Sequence, residues 1–231
     1  MKILAVDTST PVGSIALIEG ALLRAQHILN ISTTHNQRLL PGIDRLLGDT
    51  GWILEDLDAL AVSLGPGSFT GLRIGLSVIK GLAWATGKPL AGVSTLDALA
   101  ANIPLVPYLI CPVLDARKGE VYTALYRQVD KQVPERCTPY MALNPEKLVD
   151  LISEKTVVVG DALLNYGDYM TKELGDLLLH APPHLNIVQA SSVAWLAWQR
   201  LRLGKHEDVS SCTPLYVRRS EAELSHMSKK T

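Results

Sequence analysis

The chain has 231 residues, 47% of them apolar, with 22 Lys+Arg against 23 Asp+Glu and a formal net charge of −1. That composition excludes a disordered tail protein, and the missing basic excess argues against tight, unaided nucleic-acid binding. Aromatics are 5%, with Phe69 the only Phe, so no stacking platform for single strands is expected, and the length allows one large domain or two compact lobes.

Ile3 to Val6 reads as a buried strand, Ser14 to Ile18 as its hairpin partner, and Leu22 to His27 as a third strand. Ser32, Thr33 and Thr34 offer caps for a helix whose Leu39, Leu40, Ile43, Leu46 and Leu47 recur at three- and four-residue spacing. Pro41 is expected to bend it. Leu60 to Leu64 is a strand, followed by the loop Gly65 to Gly71 and a long apolar helix from Leu72 to Ala85, stopped by Gly87 and Pro89. Leu90 to Val93 is a strand, and Ser94 begins a short helix to about Ala101. Ile103 to Pro107 reads as the crossing between lobes.

The second half opens like the first. Cys111 to Leu114 reads as a strand, Asp115 to Glu120 as a turn, and Val121 to Tyr126 as the returning strand. Ile3 to Asp7 with Gly13 and Ile15 to Leu17 therefore echoes Cys111 to Asp115 with Gly119 and Tyr122 to Leu125, which favours a duplication. Asn144-Pro145-Glu146 starts a helix running to about Ser153, Thr156 to Val159 is a strand, and Ser191-Ser192 caps a last helix from Val193 to Leu203. A lobe of residues 1–103, a lobe of 104–220 and a polar tail of 221–231 are expected.

The three cysteines, Cys111, Cys137 and Cys212, fit neither a disulfide framework nor a zinc pair, so reduced thiols are expected. Met1 to Asp7 is too short an apolar start for a signal peptide. The longest apolar run, Pro104 to Leu114, is broken by Pro107 and Pro112 and too short to span a bilayer. A cytoplasmic protein without membrane contact is the expectation.

Chemistry-bearing motifs are few. The turn of Asp7, Thr8, Ser9 and Thr10 is either a phosphate-facing turn or an ordinary hydroxyl-rich hairpin; Ser9 stands where close phosphate approach would favour Gly. Gly65, Gly67 and Ser68 lead into a helix N-terminus, which suits an anion, yet no Lys closes a Walker loop; a connector for tight helix packing reads slightly better. Asp115 holds the position of Asp7 in the echo. His35 has no imidazole one turn on, since Leu39 stands there, and His180 and His184 are separated by prolines, so no metal site is expected. No nucleophile–base set assembles.

The helix from Leu72 to Ala85 carries two apolar stripes. Leu72, Leu76, Ile79 and Ala83 form one, and Ile74, Val78, Leu82 and Ala85 the other, beside Gly71 and Gly75. Arg73, Ser77 and Lys80 share the remaining arc. Such a helix is buried in its own core or buried twice, once in a partner. The glycines favour close helix–helix contact on the Val78 side.

Several stretches together resemble the TsaB (YeaZ) family of accessory subunits in making tRNA threonylcarbamoyladenosine. They are Ile3 to Thr8, His35 to Pro41, Gly65 to Gly75, Gly92 to Leu96, Asp115 to Tyr122 and Pro214 to Arg218, while Val129 to Leu185 matches only loosely. The resemblance implies an α/β chain with two lobes of the duplicated actin/sugar-kinase-like (ribonuclease H-like) ATPase fold. It implies a non-catalytic subunit without cofactor or metal that binds a TsaD-like catalytic subunit, with a TsaE-like ATPase joining. A homodimer is expected when the chain is alone, and tRNA contact only indirectly. TsaD carries paired metal-binding His on the helix equivalent to that of His35, and Leu39 replaces the second here.

The implied partner surface comprises His35, Leu39, Leu40, Ile43, Leu46 and Leu47 on one helix. On the other it comprises Arg73, Ile74, Leu76, Ser77, Val78, Lys80 and Leu82. Asp7, Thr8, Ser9, Gly65, Gly67, Ser68 and Asp115 would be vestiges of a phosphate site. The competing expectation is an ATP-dependent kinase or phosphatase of the same fold. A metallopeptidase, the older label of this family, has no support in these residues.

Overall fold

The computed structural model describes residues 1–30, 35–103, 105–128 and 133–218. The expected caps Ser32 to Thr34, Pro104 of the crossing and the polar tail lie outside the described residues.

Two units with one element order follow each other. The first runs β1 (Lys2–Asp7), β2 (Gly13–Glu19), β3 (Leu22–Leu29), α1 (His35–Thr50), β4 (Ala59–Gly65), α2 (Phe69–Thr86), β5 (Leu90–Ser94) and α3 (Thr95–Ala100). The second runs β6 (Leu109–Arg117), β7 (Glu120–Thr123), β8 (Tyr126–Arg127), β9 (Glu135–Arg136), β10 (Met141–Leu143), α4 (Pro145–Leu151), β11 (Thr156–Val159), α5 (Leu163–Leu174), β12 (Leu178–His180) and α6 (Ala190–Leu201). The first sheet is ordered β3-β2-β1-β4-β5 and the second β10-β7-β6-β11-β12, with β8 and β9 appended. In both, an antiparallel hairpin (β1–β2, β6–β7) is extended by two parallel strands. The sequence echo is thus a repeat of topology.

Strand alternation sorts side chains into three cores. Ile3 and Ala5 of β1 enter a central core while Leu4 and Val6 enter an outer one. Across the first sheet the central face is largely alanine: Ala5, Ala16, Ala59, Ala61 and Ala91. These small side chains let α6 lie close across β1 and β2. The central core holds α3 and α6 between the two sheets, α1 and α2 cover the first sheet from outside, and α4 and α5 cover the second. The result is five layers, helix–sheet–helix–sheet–helix. Although α6 follows the second sheet in the chain, it packs on the first.

Several local expectations shift. The helix expected from Leu72 begins at Phe69, because Ser68 caps it: its Oγ accepts from Gly71 N at 3.2 Å. Gly87 ends it in the left-handed conformation at φ 66°. Strand β6 continues to Arg117, leaving only Lys118 and Gly119 at the hairpin tip. The returning strand breaks after Thr123, and α6 starts at Ala190 with Ser191 and Ser192 inside its first turn. Helix α5 lacks a sequence start signal, since Ala162 at its cap offers no side-chain bond. Helix α1 runs through Pro41.

The alanine face generates a prediction. Ala61, wholly buried against the α3–α6 layer, has no room for added methylenes. Ala61→Leu should cost about 1–3 kcal/mol, or roughly 2–4 °C of Tm per kcal/mol at this chain length. Gly81→Ala, where an added Cβ meets open space, should instead hold or raise Tm. Paired thermal melts check both.

Candidate functional site

The ends of β1 and β4 meet at one buried knot. Asp7 is fully buried, and its Oδ1 accepts from Ser9 Oγ at 2.7 Å, from Ser9 N at 3.4 Å and from Ser63 Oγ. Thr8 Oγ1 donates to Gly71 O at 2.7 Å, and Ser68 N donates to Ser9 O at 2.7 Å. A Cβ on Gly71 or Gly75 would collide with Thr8. These glycines therefore serve the approach of α2 to the β1 turn and not, as expected, a helix–helix contact beside Val78.

The same lacing revises the phosphate-loop expectation. Asp7, Thr8, Ser9 and Gly65 are buried, and the amides of Ser9, Ser68 and Gly71 are donated to protein acceptors. Ser9, Gly67 and Ser68 still border the cleft between the sheets.

That cleft encloses about 720 Å³. Asp115 lines it, with Oδ1 accepting from Arg117 N at 2.8 Å and Oδ2 facing the Arg117 guanidinium at 3.3 Å. Asp161 Oδ1 accepts from Asp115 N at 3.0 Å, and burial pushes its carboxyl above the usual range. Arg117 and Lys118, at φ 64° and 54°, turn the hairpin tip towards the cleft.

His35 also lines the cleft, but its ring is engaged. Nε2 lies 2.7 Å from Thr10 O and Nδ1 3.2 Å from an Arg38 nitrogen, while Arg38 also donates to Pro11 O at 3.0 Å. An imidazole donating from Nε2 and accepting at Nδ1 fits this pattern. Burial lowers its pKa, the bond to Thr10 O opposes that, and the Arg38 charge lowers it further. Among the described residues no group of three His, Cys, Asp or Glu is arranged to hold a metal ion.

The expected partner surface is divided by burial. Leu39, Ile43, Leu46, Leu47 and Leu76 are 3–7% exposed and fill the outer core, so they hold α1 and α2 to the sheet. His35 is spent internally, and Lys80 donates to the carbonyls of Ser210 and Cys212 at 3.1 Å each. Leu40 leaves the buried stripe expected for it and is 51% exposed. Arg73 and Ser77 are exposed, and Ile74, Val78 and Leu82 are half-buried. The two-stripe question is thereby resolved: Leu72, Leu76, Ile79 and Ala83 face the core. Sequence reasoning missed Trp84, 73% exposed in the last turn of α2; it falls on the arc of Arg73, Ser77 and Lys80, and that was the available signal.

The family model described as TsaD, tRNA N6-adenosine threonylcarbamoyltransferase, matches residues 29–226. The proteins named tRNA threonylcarbamoyladenosine biosynthesis protein TsaB from Bacillus subtilis (strain 168) and Escherichia coli (strain K12) are 32% and 33% identical, each over 96% of both chains. The solved structure of YeaZ from Pseudomonas aeruginosa superposes with a TM-score of 0.80 at 28% identity, covering 93% of this chain and 99% of its own. The ROK hexokinase of Thermus thermophilus, at a TM-score of 0.54 and 13% identity over 88% of this chain and all of its own, shares the fold alone. The expected actin/sugar-kinase-like architecture holds.

The Asp7 knot predicts a pH effect. Burial lifts the carboxyl from 3.8 to about 6, against the lowering bonds from Ser63 and Ser9, and Oδ2 has no partner in the described structure. A folded pKa above the unfolded one means that the folded state holds the proton more tightly, so stability is lost as pH rises from about 4 to about 6. Asp7→Asn removes that loss. Relative to the parent, it should gain roughly 2 kcal/mol between pH 4 and pH 8, read by urea denaturation at both.

Proposed function

We propose that this chain, which belongs to the TsaB (YeaZ) family of tRNA threonylcarbamoyladenosine biosynthesis proteins, is a non-catalytic subunit that binds and supports a TsaD-like catalytic subunit. The observation that carries the reading is the division of α1 and α2. At the place of a second metal-binding imidazole stands Leu39, 4% exposed in the outer core. On the outward flank of the same helix pair Leu40 and Trp84 are exposed, and Ile74, Val78 and Leu82 are half-buried at the edge of the outer core. A pair of helices with a core leucine where the resemblance implies a metal ligand, and with partly exposed apolar surface outwards, suits docking better than chemistry.

In this reading the partner surface comprises Leu40, Arg73, Ile74, Ser77, Val78 and Leu82, with Trp84 added. A TsaE-like ATPase joins the pair, tRNA is met through the catalytic subunit, and the assembly works in the cytoplasm. Asp7, Thr8 and Gly65 are the closed part of a vestigial phosphate site, and Ser9, Gly67, Ser68 and Asp115 its part that still borders the cleft. Two related folds with matching helices make pseudo-equivalent interfaces, so the chain alone forms a two-fold homodimer through this surface, burying about 1,600 Å² in total. The chain divides functionally near residue 103, with both docking helices in the first lobe.

Two glutamates test the division. Leu76→Glu puts an unpaired carboxylate into the outer core and should unfold or insolubilise the chain. Val78→Glu should keep the parent circular dichroism spectrum but lose about 2 kcal/mol of association, roughly thirty-fold in affinity for a TsaD-like subunit. A folded Val78→Glu chain that binds that subunit as the parent does defeats the docking face. The competing enzymatic reading is met by an ATP-turnover assay: robust turnover by the purified chain, abolished in a folded Asp115→Ala variant, would replace the accessory role.

A further inference from the structure

After α6 the chain returns over the first sheet, and its two ends are held differently. At the root, Glu207 N donates to Leu90 O at 2.8 Å and Leu215 N to Leu64 O at 2.7 Å. Lys80 gathers the carbonyls of Ser210 and Cys212. Gly65, at φ +112°, admits this segment to the corner between β4 and α2, since a Cβ there would stand 2.8 Å from Leu215 O.

Towards the tip, successive residues border different spaces. Leu215 and Val217 line a hollow with residues 136–140, whereas Tyr216 and Arg218 line the cleft. Tyr216 stacks on Phe69 with ring centroids 5.2 Å apart, and its Oη accepts from Arg73 Nε at 3.3 Å. The Arg73 guanidinium covers the Phe69 ring at 3.8 Å. Arg218 then crosses to the second sheet and donates to Glu120 at 3.1 Å, at the base of the β6–β7 hairpin. Their side chains are 27% and 36% exposed. A partly exposed ion pair is weak and screened by salt, whereas the root rests on backbone bonds.

We propose that residues 213–218 are a strap that latches the two sheets across the cleft, with Arg218–Glu120 as its releasable catch and Tyr216 as its link to α2. A firm root with a weak tip is the mechanical condition for a catch that opens without unfolding the chain. When the hairpin moves away from the strap, Arg218 loses Glu120 and Tyr216 loses its fixed position. The Arg73–Phe69–Tyr216 stack then loses an outer layer, so the first turn of α2 registers the state of the cleft. Any consequence for partner binding rests on the docking role proposed for α2; the latch does not.

Hydrogen exchange of the full free chain tests the latch at low salt. Arg218→Ala and Glu120→Gln should each raise amide exchange several-fold in residues 115–122 and also in residues 68–73, while β4 keeps its protection. About 0.5 M salt should move the parent towards these variants. The exchanged pair Glu120→Arg with Arg218→Glu should restore parent protection, which a merely misfolded single variant would not allow. Unchanged exchange in residues 115–122 overturns the latch. A rise there without one in residues 68–73 overturns the link through Tyr216. Either result leaves the docking role standing, because that role is read from Val78→Glu binding.

Discussion

Thr8 pressed against the first two turns of α2 is the contact on which most of the molecule depends. It requires glycine at both 71 and 75, because a Cβ at either would collide with the threonine. In return, Thr8 Oγ1 bonds the Gly71 carbonyl and Ser9 O takes the Ser68 amide, so the β1 turn and the start of α2 become one rigid corner. The rotation of α2 is set there. With Gly75 against Thr8, Leu76 and Ile79 point into the outer core, and Ile74 and Val78 are turned to its edge. The half-buried flank of Ile74 and Val78 and the hydrogen-bonded closure of the Asp7 turn are two results of the same close approach.

Burying Asp7 in that corner has an electrostatic cost that the serines only partly offset. Ser9 and Ser63 both serve Oδ1, which leaves the buried Oδ2 without a protein partner among the described residues. A carboxyl so placed favours its proton at mildly acidic pH.

The two sheets are joined by a different means. Alanines on the inner face of the first sheet draw α6 in, and α3 packs between the sheets beside it, so the central core belongs to both units. This joint is wide and apolar, while the opposite side, at the cleft, is bridged by polar and aromatic contacts of the C-terminal segment. The joint is thus apolar and buried on one side and rests on partly exposed, salt-screened contacts on the other.

Much of the fold was legible in the residues. Alternating apolar strands, the cap at Asn144, Gly87 after α2 and the repeated strand–Asp–turn–Gly–strand pattern determine the elements and the duplication, because each is a local consequence of backbone geometry and hydrophobic period. Helix α5 escaped because its start carries no capping side chain, and the short β9, β10 and β12 escaped because two or three residues hold no period. The lone His35 beside Leu39 was already enough to argue against a metal pair. What the sequence could not assign was direction. Two apolar stripes on α2 look equivalent along the helix, and only the contact of Gly71 and Gly75 with Thr8, 63 residues away for the bonded pair, turns Leu76 inwards and leaves Val78 at the edge of the core. Likewise Tyr216 and Glu120 acquire roles only when the chain end returns to the cleft. Local pattern is short-range physics, whereas which face meets what is fixed by packing between residues distant in the chain.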